Sequence, residues 1–514
     1  MQAVRQAAKT LTKPCLAHER SQAVASRYNV AVIRTRQGVN WRISNSCRNA
    51  DVRNLPRQVF RVIITAAATV CLTMAATPTV AGDTDSTERW NMRLVGQHDL
   101  QNRGAYQPVI QQQGDRWVAY VGHHGGSSHN PITGEVETHG TSIVDVTDPT
   151  KPVYLHHLPG AAGAQMTQTC RGADLPIKDD KTYLLRSNGN ESHQVWEVTN
   201  PMQPRLISTP LTGGRATHKN WWDCASGIAY LVYDGRQRNW NADRLLWVVD
   251  LGNPAQPAVI RQYGLPGQEP ASRTARVPSG AHEATLSPDG KRLFVAYGTG
   301  SRGVMQIVDV PKLLACRPDC PGSPTVQELL DPQVGRLDMP RFWGGHTAWP
   351  IMGIDVPEQS RFIRATPRDF VVLVSESFAS HCQEDAHDMV FLVDITDPAV
   401  PFPVANYQVA ESGGGFCGRG GRFGAHSMNW SYHPRYYRRI IFISYFNAGV
   451  RAVDIRNPFH PVEAGYYIPA APGGGPIQTN NVELDERGLI YLADRDGAGL
   501  HIVTLTGSAL RILE

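Results

Sequence analysis

The hydrophobic positions along this chain follow a repeated pattern, in which two short β-rich runs flank an acidic or amide residue followed closely by proline. The clearest copy is MVFLVDITDPAVPFPVANY, at residues 389–407. Its alternating β-branched and aromatic residues predict a half-buried strand, and the Asp-Pro pair ends that strand because proline has no N–H for the ladder. The acidic side chain can cap its own turn. Each copy therefore predicts a β-hairpin with a short turn.

Further copies of this hairpin recur along the chain. They are TSIVDVTDPTKPVYLHHL from Thr141, HQVWEVTNPMQPRLIST from His193, RLLWVVDLGNPAQPAVIRQY from Arg244, GVRAVDIRNPFHPVEAGYY from Gly449 and the degenerate VMQIVDVPKLL from Val304. A more variable strand pair precedes each hairpin. In GAHEATLSPDGKRLFVAYG, at residues 280–298, the SPDG segment predicts the tight turn of such a pair. A repeated unit of four antiparallel strands predicts the blade of a β-propeller.

The number of blades follows from where the innermost strand of each unit begins. These strands start near Gln107, Arg171, His218, His282, His346, His426 and Asn481. The last unit ends after its third strand, and MRLVGQHDL, at residues 92–100, matches the missing outer strand. Supplying that strand would remove an open sheet edge. The sequence therefore predicts an all-β chain whose residues 88–514 form one seven-bladed β-propeller, closed by its N-terminal strand.

Composition agrees with this fold class. Of 514 residues, 47 are glycine and 36 are proline, charged residues make up 19%, and the formal net charge is +4. Frequent turn formers and a small net charge suit an all-β protein and give no case for binding nucleic acid. The sequence contains no phosphate-binding loop, dinucleotide fingerprint, GxSxG elbow, haem CxxCH motif or HExxH motif.

The N-terminal region needs a separate interpretation. Residues 1–55 are basic and aperiodic, and an apolar run at residues 62–76 follows Arg57 and Arg61. Small residues then lead to Gly82, so residues 56–82 have the form of a secretory signal peptide, too short to span a membrane. We expect a mature chain without a transmembrane anchor in the periplasm, secreted or on the surface of a bacterium. Because a signal peptide does not belong fifty residues inside a protein, translation is expected to start near Val52; the alternative is a long disordered basic leader.

Cysteine usage points to the same compartment. Cys15, Cys47 and Cys71 precede the predicted cleavage, which leaves six cysteines, and an even number in an exported chain predicts disulfides. The hypothesised pairs are Cys316 with Cys320, Cys382 with Cys417, and Cys170 with Cys224. The sequence alone does not prove them, and metal binding by cysteine is the alternative.

The VDITDP-type hairpins, together with YFNAGVRAVDIRNPFHPVEAGYY at residues 445–467, resemble the LVIVD-repeat proteins, a family of exported bacterial and archaeal β-propellers. The resemblance covers roughly residues 93–514. It implies the propeller fold and export. It implies no catalytic residues, so a function must be argued from the site.

Four histidines occupy one position of successive blades. They are His218 in THKNWWDC, His282 in AHEATLSPDG, His346 in GHTAWP and His426 in AHSMNW. Because the start of the innermost strand lines the channel of a propeller, these imidazoles are predicted to converge on the axis. Imidazole suits copper, zinc, iron and nickel, so the four histidines are candidate ligands of a transition metal, with copper favoured. The alternative is that they bond to water and neighbouring backbone.

The other blades offer Gln107, Arg171 and Asn481 at this position, as candidate ligand-binding residues. Glu283, next to His282, is a candidate catalytic residue that could move protons, orient a ligand or bind the metal itself. Strand alternation would point its side chain away from the axis.

Long connections are predicted on the same face as the histidines, as in many binding faces. They carry His123, His124, His129, His139, His381 and His387, which could support a metal site or be solvated, and Arg336, Arg341, Arg419 and Arg422, which are compatible with an anionic ligand or with ordinary surface. Four tryptophans are expected to pack between blades rather than bind substrate: Trp221, Trp222, Trp343 and Trp349.

Two classes of function fit these observations. The first is a metal-binding protein and candidate copper-dependent oxidoreductase. Nitrous oxide reductase and thiocyanate dehydrogenase, propellers that hold copper with axial histidines, are similar in architecture. The second is a non-catalytic scaffold that binds a protein or glycan through its loop face. A metal-independent hydrolase or lactonase at the same mouth is a further alternative.

Overall fold

The computed structural model describes residues 30–35, 38–43, 87–273, 280–356, 367–379, 382–470 and 475–514. The chain divides into two compact units, Met1–Ala81 and Gly82–Glu514. In the first unit, the described residues are β1 (Val30–Thr35) and β2 (Gly38–Ile43), which pair antiparallel. The predicted signal peptide at residues 56–82 lies outside the described residues, as does the rest of the predicted leader.

The second unit is built mainly from sheets of four antiparallel strands that follow one another along the chain. In the first sheet the strands are β5 (Ala105–Gln113), β6 (Arg116–His123), β9 (Gly140–Asp145) and β10 (Val153–Pro159), with the hairpin β7 (Ser127–His129) and β8 (Val136–Thr138) inserted after β6. The second sheet has β11 (Thr167–Arg171), β12 (Thr182–Asn188), β13 (Ser192–Glu197) and β14 (Arg205–Leu211). The third has β15 (Asn220–Trp222), β16 (Ile228–Asp234), β17 (Arg244–Asp250) and β18 (Ala258–Tyr263).

The same order of strands continues to the C-terminus. The fourth sheet has β19 (Ala281–Leu286), β20 (Arg292–Tyr297), β21 (Val304–Asp309) and β22 (Gln333–Asp338), and the fifth has β23 (Thr347–Ile354), β24 (Arg368–Val374), β25 (Val390–Asp394) and β26 (Phe402–Tyr407). A larger sheet holds β27 (Phe423–Met428), β28 (Ile440–Phe446), β29 (Val450–Asp454), β30 (Val462–Ile468), β31 (Thr479–Leu484), β32 (Ile490–Asp494) and β33 (Gly499–Leu505), together with β3 (Glu88–Trp90) and β4 (Met92–His98).

Helices are short in the described ranges. They are α1 (Val310–Leu314) and α2 (Val326–Leu330), which lie between β21 and β22, α3 (Gly507–Arg511) after β33, and five 3₁₀ turns. None of these helices is long and apolar enough to cross a membrane.

The predicted hairpin chemistry is confirmed at the turns. The Oδ1 atom of Asp145 accepts a hydrogen bond from the backbone N–H of Thr147 at 2.9 Å, and Asp394 does the same for Thr396 at 2.9 Å. Each acid thus caps the turn that follows its own strand. The recurrent aspartates serve the scaffold.

The N-terminal strand β4 pairs antiparallel with β33, with Met92 opposite Leu505 and His98 opposite Leu500. The segment predicted to supply an outer strand therefore pairs with the last strand of the chain, β33, and forms that edge of the sheet.

The innermost strands of successive sheets lie side by side. Strand β5 contacts both β11 and β31, and contacts continue from β11 to β15, from β15 to β19 and from β19 to β23. Apolar residues fill the space between the sheets; Tyr183 and Leu185 of β12, for example, share one buried cluster with Tyr230 and Val232 of β16. Antiparallel sheets packed face to face, with their first strands at the centre, form a β-propeller.

All three predicted disulfides are confirmed. Cys170 pairs with Cys224, Cys316 with Cys320, and Cys382 with Cys417. The first joins β11 to the turn after β15 of the next sheet, and the third joins the connections that follow β24 and β26.

Candidate metal centre

A cavity of about 950 Å³ opens at the ends of the innermost strands. Its lining includes His218, His282, His346 and His426. These four side chains, here called the histidine row, come from four successive blades and meet as predicted from their spacing.

The histidine row is continuous. Ring centroids are 4.5 Å apart between His218 and His282, 4.1 Å between His282 and His346, and 4.4 Å between His346 and His426. Three of the rings are almost fully buried, and His218 is half-buried at the edge of the cavity.

Hydrogen bonds orient three of the imidazoles. The Nδ1–H of His282 donates to the carbonyl oxygen of His346 at 3.1 Å, and that of His426 donates to the carbonyl oxygen of Asn480. The Nδ1 of His346 lies 2.8 Å from Thr347 Oγ1, which itself donates to Glu283 Oε2 at 2.9 Å and so accepts from the ring. With Nδ1 protonated, each of these rings presents an Nε2 lone pair, the form that binds a metal.

The Nε2 atoms lie close together. Those of His218 and His282 are 2.8 Å apart, about the separation of two ligands at right angles and ~2.0 Å from one metal ion. Glu376 adds a carboxylate, with Oε2 4.0 Å from His346 Nε2 and Oε1 3.6 Å from His426 Nε2. His346 Nε2 is buried without a hydrogen-bond partner among the described residues. An imidazole can bind a metal ion when its Nε2 lone pair makes no hydrogen bond and lies close to other atoms that can coordinate the same ion.

Electrostatics keep the row uncharged. Burial lowers the pKa of all four histidines well below 6.5, and positive neighbours such as Lys219 and Arg244 lower the pKa of His282 further. Burial raises the pKa of Glu376, and the Arg422 guanidinium, which donates to Glu376 Oε1 at 3.1 Å, opposes that rise. Because these imidazoles are neutral at physiological pH, they can coordinate a metal ion without first losing a proton.

A second layer of polar side chains lies directly beneath the histidine row. This polar layer consists of the residue that follows the channel-facing position in each blade: Gln107, Thr167, Lys219, Glu283, Thr347, Ser427 and Asn481. All are buried, and they connect from blade to blade. Lys219 Nζ lies 3.7 Å from Glu283 Oε2, and Ser427 Oγ lies 3.4 Å from Thr347 Oγ1 and 3.1 Å from the Asn481 amide.

β-Bulges explain how consecutive residues reach the centre together. The ladder between β19 and β20 shifts register between Ala281 and Glu283, and similar shifts occur at the starts of β5, β27 and β31. A bulge sets two residues of one strand opposite one of its partner and so interrupts the alternation of side chains. Glu283 nevertheless does not line the cavity with His282; its carboxylate is buried against Lys219 and Thr347 of the neighbouring sheets.

Glu283 does not line the cavity; it contacts the histidine row indirectly, through the hydroxyl of Thr347. Burial raises its pKa to about 8, while Lys219 and Thr347 oppose the rise. Its Oε1 has no hydrogen-bond partner in the described part of the chain. Through Thr347 it is linked to the ring of His346.

The other predicted ligand-binding residues do not line the cavity. Gln107 and Asn481 are buried in the polar layer. Tyr106, one position before Gln107, lines the cavity instead. Arg171 was placed wrongly. It ends β11 instead of starting it, is exposed, and pairs with Asp174 at 2.7 Å.

Residues on the long connections have varied roles. His124 lines the cavity, whereas His123 is buried against Ser142 Oγ at 2.7 Å, His139 bonds to the His124 carbonyl oxygen, and His387 contacts Cys382; His381 lies outside the described residues. Of the four loop arginines, only Arg422 lines the cavity. The other three have partners elsewhere: Arg336 pairs with Asp338, Arg419 pairs with Glu88, and Arg341 stacks on Phe342. Trp221 and Trp349 pack together at 5.7 Å, and Trp221 also packs on Trp430 at 6.2 Å.

Sequence reasoning missed several cavity residues, among them Tyr106, Glu376, Arg244 and Arg495. Tyr106, whose hydroxyl lies 3.4 Å from His218 Nε2, was one position from the predicted Gln107. Glu376 follows the apolar run of β24, and Arg495 follows that of β32. A polar residue at the cavity end of a buried strand was the available signal for both. Arg244 is the first residue of the hairpin repeat at residues 244–263, and nothing in that repeat indicates that its side chain lines the cavity.

Sequence comparison finds no relative: no family model matches the chain, and no curated protein matches it. Solved structures do match. One is the C-terminal WD40 domain of Sif2, with a TM-score of 0.44 and 8% sequence identity; the match covers 81% of this chain and 99% of that chain. So distant a likeness says nothing of what the chain binds.

Proposed function

We propose that residues 88–514 form a seven-bladed β-propeller, closed by β4, and that the chain is an exported protein of the LVIVD-repeat kind. The pairing of β4 with β33 supports closure, because it gives the last unit its fourth strand. The hairpin repeats support the relationship to the LVIVD-repeat proteins. Three disulfides support export, since such bonds persist in oxidising compartments.

We propose that the histidine row binds a transition metal. The observation that carries this proposal is the convergence of uncharged imidazoles beside Glu376: the Nδ1 atoms of His282, His346 and His426 are engaged, so that these three buried rings keep Nε2 as a free lone pair. His218 Nε2 lies 2.8 Å from His282 Nε2. The proposed ligands are His218, His282, His346 and His426. Of these, His282 and His346 have ligand atoms that lie, together with a carboxylate oxygen of Glu376, within 4.8 Å of one another, so Glu376 is positioned to add a carboxylate.

Copper is the metal that this donor set favours, because imidazole suits it and because Cu²⁺ binds most tightly among the divalent first-row metals. Bound there, copper would supply one-electron redox chemistry, so we propose an oxidoreductase. Glu376 and Tyr106 border the ligand atoms on the cavity side. Glu283 reaches the His346 ring through Thr347 and is the residue that would hold a proton.

Metal content tests this proposal. Purified protein reconstituted with copper, zinc or iron and then desalted should keep about one metal ion per chain. His282→Ala and His346→Ala should lose most of it, whereas His460→Ala, at an exposed residue of the β29–β30 turn, should not. A wild-type protein that retains no stoichiometric metal after reconstitution rules the metal centre out.

A non-catalytic scaffold for a protein or glycan is the second candidate. Phe342 and Phe378 favour it, because their side chains are 63% and 48% exposed in the connections that flank β23 and β24, and Phe378 lines the cavity. Large exposed aromatic residues on loops are typical of binding surfaces. On a glycan array, wild type should bind and a Phe342→Ser/Phe378→Ser double variant should not, with metal content equal in both; equal array signals argue against this role.

A further inference from the structure

The wall of the cavity above the histidine row is rich in arginine. Five arginines and three carboxylates line the cavity. Arg244 begins β17, Arg422 immediately precedes β27, and Arg495 immediately follows β32, so three separate sheets each contribute a guanidinium group. All three side chains are half-buried.

The carboxylates at the rim are already engaged. Asp243 pairs with Arg236, and Asp234 accepts hydrogen bonds from the backbone N–H groups of Arg215 and Arg236, at 2.9 Å each. These contacts tie the rim together. They leave Glu376 as the carboxylate inside the cavity.

Glu376 balances only one of the three inner arginines by direct contact. Arg422 donates to Glu376 Oε1 at 3.1 Å, and its guanidinium carbon lies 5.4 Å from the ring centres of both Phe378 and Phe446. Arg244 and Arg495 form no ion pair with a carboxylate in the described ranges. Their charges reach Glu376 only through space. Half-buried positive charge without a partner is costly unless an anion supplies one.

The arginines stand at both ends of the histidine row. Besides burial, which is the largest cause, Arg495 and Arg422 help to lower the pKa of His426, and Arg244 helps to lower the pKa of His218 and His282. All of these residues line one cavity, so an anion bound by the arginines would share that cavity with the histidine row. A cavity of about 950 Å³ leaves room for the rest of a small molecule.

We propose that the cavity binds a small molecule carrying an oxyanion group, such as a carboxylate, sulfate or phosphate, through Arg244, Arg422 and Arg495. Guanidinium groups recognise such oxygens with paired N–H donors, and they do so most strongly where water is partly excluded. Glu376 holds Arg422 in position for this contact. The inference deepens the proposed metal function by naming the class of substrate, but anion binding itself requires no metal.

Binding to the metal-free protein tests the inference without depending on the metal centre. Calorimetric titration of chelator-treated protein with inorganic phosphate, and separately with acetate, should show one saturable site for at least one of them. Arg244→Gln and Arg495→Gln should each weaken that binding about tenfold or more, the loss expected for a charged hydrogen-bonding partner. Arg171→Gln is the matched control, because Arg171 is exposed and does not line the cavity, and should bind as wild type.

A second measurement on wild-type protein covers the case in which a variant fails to fold. Phosphate or acetate should protect Arg244 and Arg495, but not Arg171, from modification by phenylglyoxal, as mapped on peptides. Two results overturn the inference: no saturable anion binding by wild type, or binding that both cavity variants retain in full. Loss of metal binding with anion binding intact would instead count against the proposed function alone.

Discussion

Thr347 shows how one hydroxyl can determine the state of a metal-binding imidazole. Its Oγ1 accepts from His346 Nδ1 at 2.8 Å and donates to Glu283 Oε2 at 2.9 Å. The proton is thereby held on Nδ1, and Nε2 is left as the donor atom. Groups that orient a metal ligand in this way typically contribute 10–100-fold to metal affinity.

Thr347→Val should therefore weaken metal binding by about 10- to 100-fold while leaving the fold intact, because valine has almost the same shape. Competition with a chromophoric chelator measures the affinity. Thr285→Val is the control: Thr285 is equally buried in an innermost strand, and its hydroxyl bonds to the Ala348 carbonyl oxygen, away from the histidines. Equal affinities for the two variants would show that the Thr347 hydroxyl does not position His346.

His501 in β33 links protonation to stability. Burial lowers its pKa from 6.5 to about 4. Because the folded-state pKa is the lower one, the unfolded chain binds the proton more readily, and stability is lost as pH falls from about 6.5 towards 4.

His501→Leu should remove that loss. Between pH 7.5 and pH 5 the wild type should lose about 2 kcal/mol more unfolding free energy than the variant. Urea denaturation at the two pH values measures the difference. His460→Leu, at an exposed site, should follow the wild type; a His501→Leu variant that does the same contradicts the assignment.

At the scale of elements, the disulfides differ in how much chain they enclose. Cys170 and Cys224 are 54 residues apart and join two sheets, whereas Cys316 and Cys320 are 4 residues apart within one connection. A cross-link stabilises by restricting the unfolded chain, and the restriction grows with the enclosed length.

Replacing both Cys170 and Cys224 with alanine should lower the unfolding free energy by about 4 kcal/mol, against about 2 kcal/mol for Cys316 and Cys320. Guanidinium denaturation of the two double variants gives the comparison. An equal or larger loss for the short loop would mean that native-state contacts, rather than chain restriction, dominate.

The innermost strands mark the limit of what the sequence could predict about the site. Histidine labels the channel-facing position in four blades, so those four residues were found. In the other blades the residues before the polar layer are Tyr106, Met166 and Asn480, which share no residue type. The sequence therefore placed the equivalent position one residue too late at Gln107 and Asn481, and five residues too late at Arg171. Bulges depend on how two strands pair, so no local pattern in the sequence predicts the register shift between Ala281 and Glu283.

At the scale of the whole molecule, strand β4 (Met92–His98) pairs with β33 (Gly499–Leu505), which lies about 400 residues further along the chain. Proteins lacking residues 1–100 should expose the edge of β33, unfold at lower temperature and associate through that edge. Adding a peptide of residues 87–99 should restore the melting temperature and reverse that association, and a scrambled peptide should not. A truncated protein that is as stable as the full chain and no more associated contradicts the proposed closure.

The architecture was more predictable than the site, because each repeat contains the turn-forming residues that mark where its strands end. Asp145 and Asp394 cap the turns that their sequence context predicted, and the strand pairs fall where the apolar runs lie. Glu376, Arg244 and Arg495 reach the cavity from three different sheets. Their convergence depends on tertiary packing, which a single sequence does not reveal.

The histidine row is the centre of this account, and locating a metal ion tests it most directly. Crystals of copper-loaded protein, measured on both sides of the copper absorption edge, should give one strong anomalous peak in the cavity, about 2.0–2.2 Å from ring nitrogens of His282 and His346 and from Glu376 or a further histidine of the row. Fully loaded crystals with no peak in the cavity, or with the peak at other residues, would contradict it.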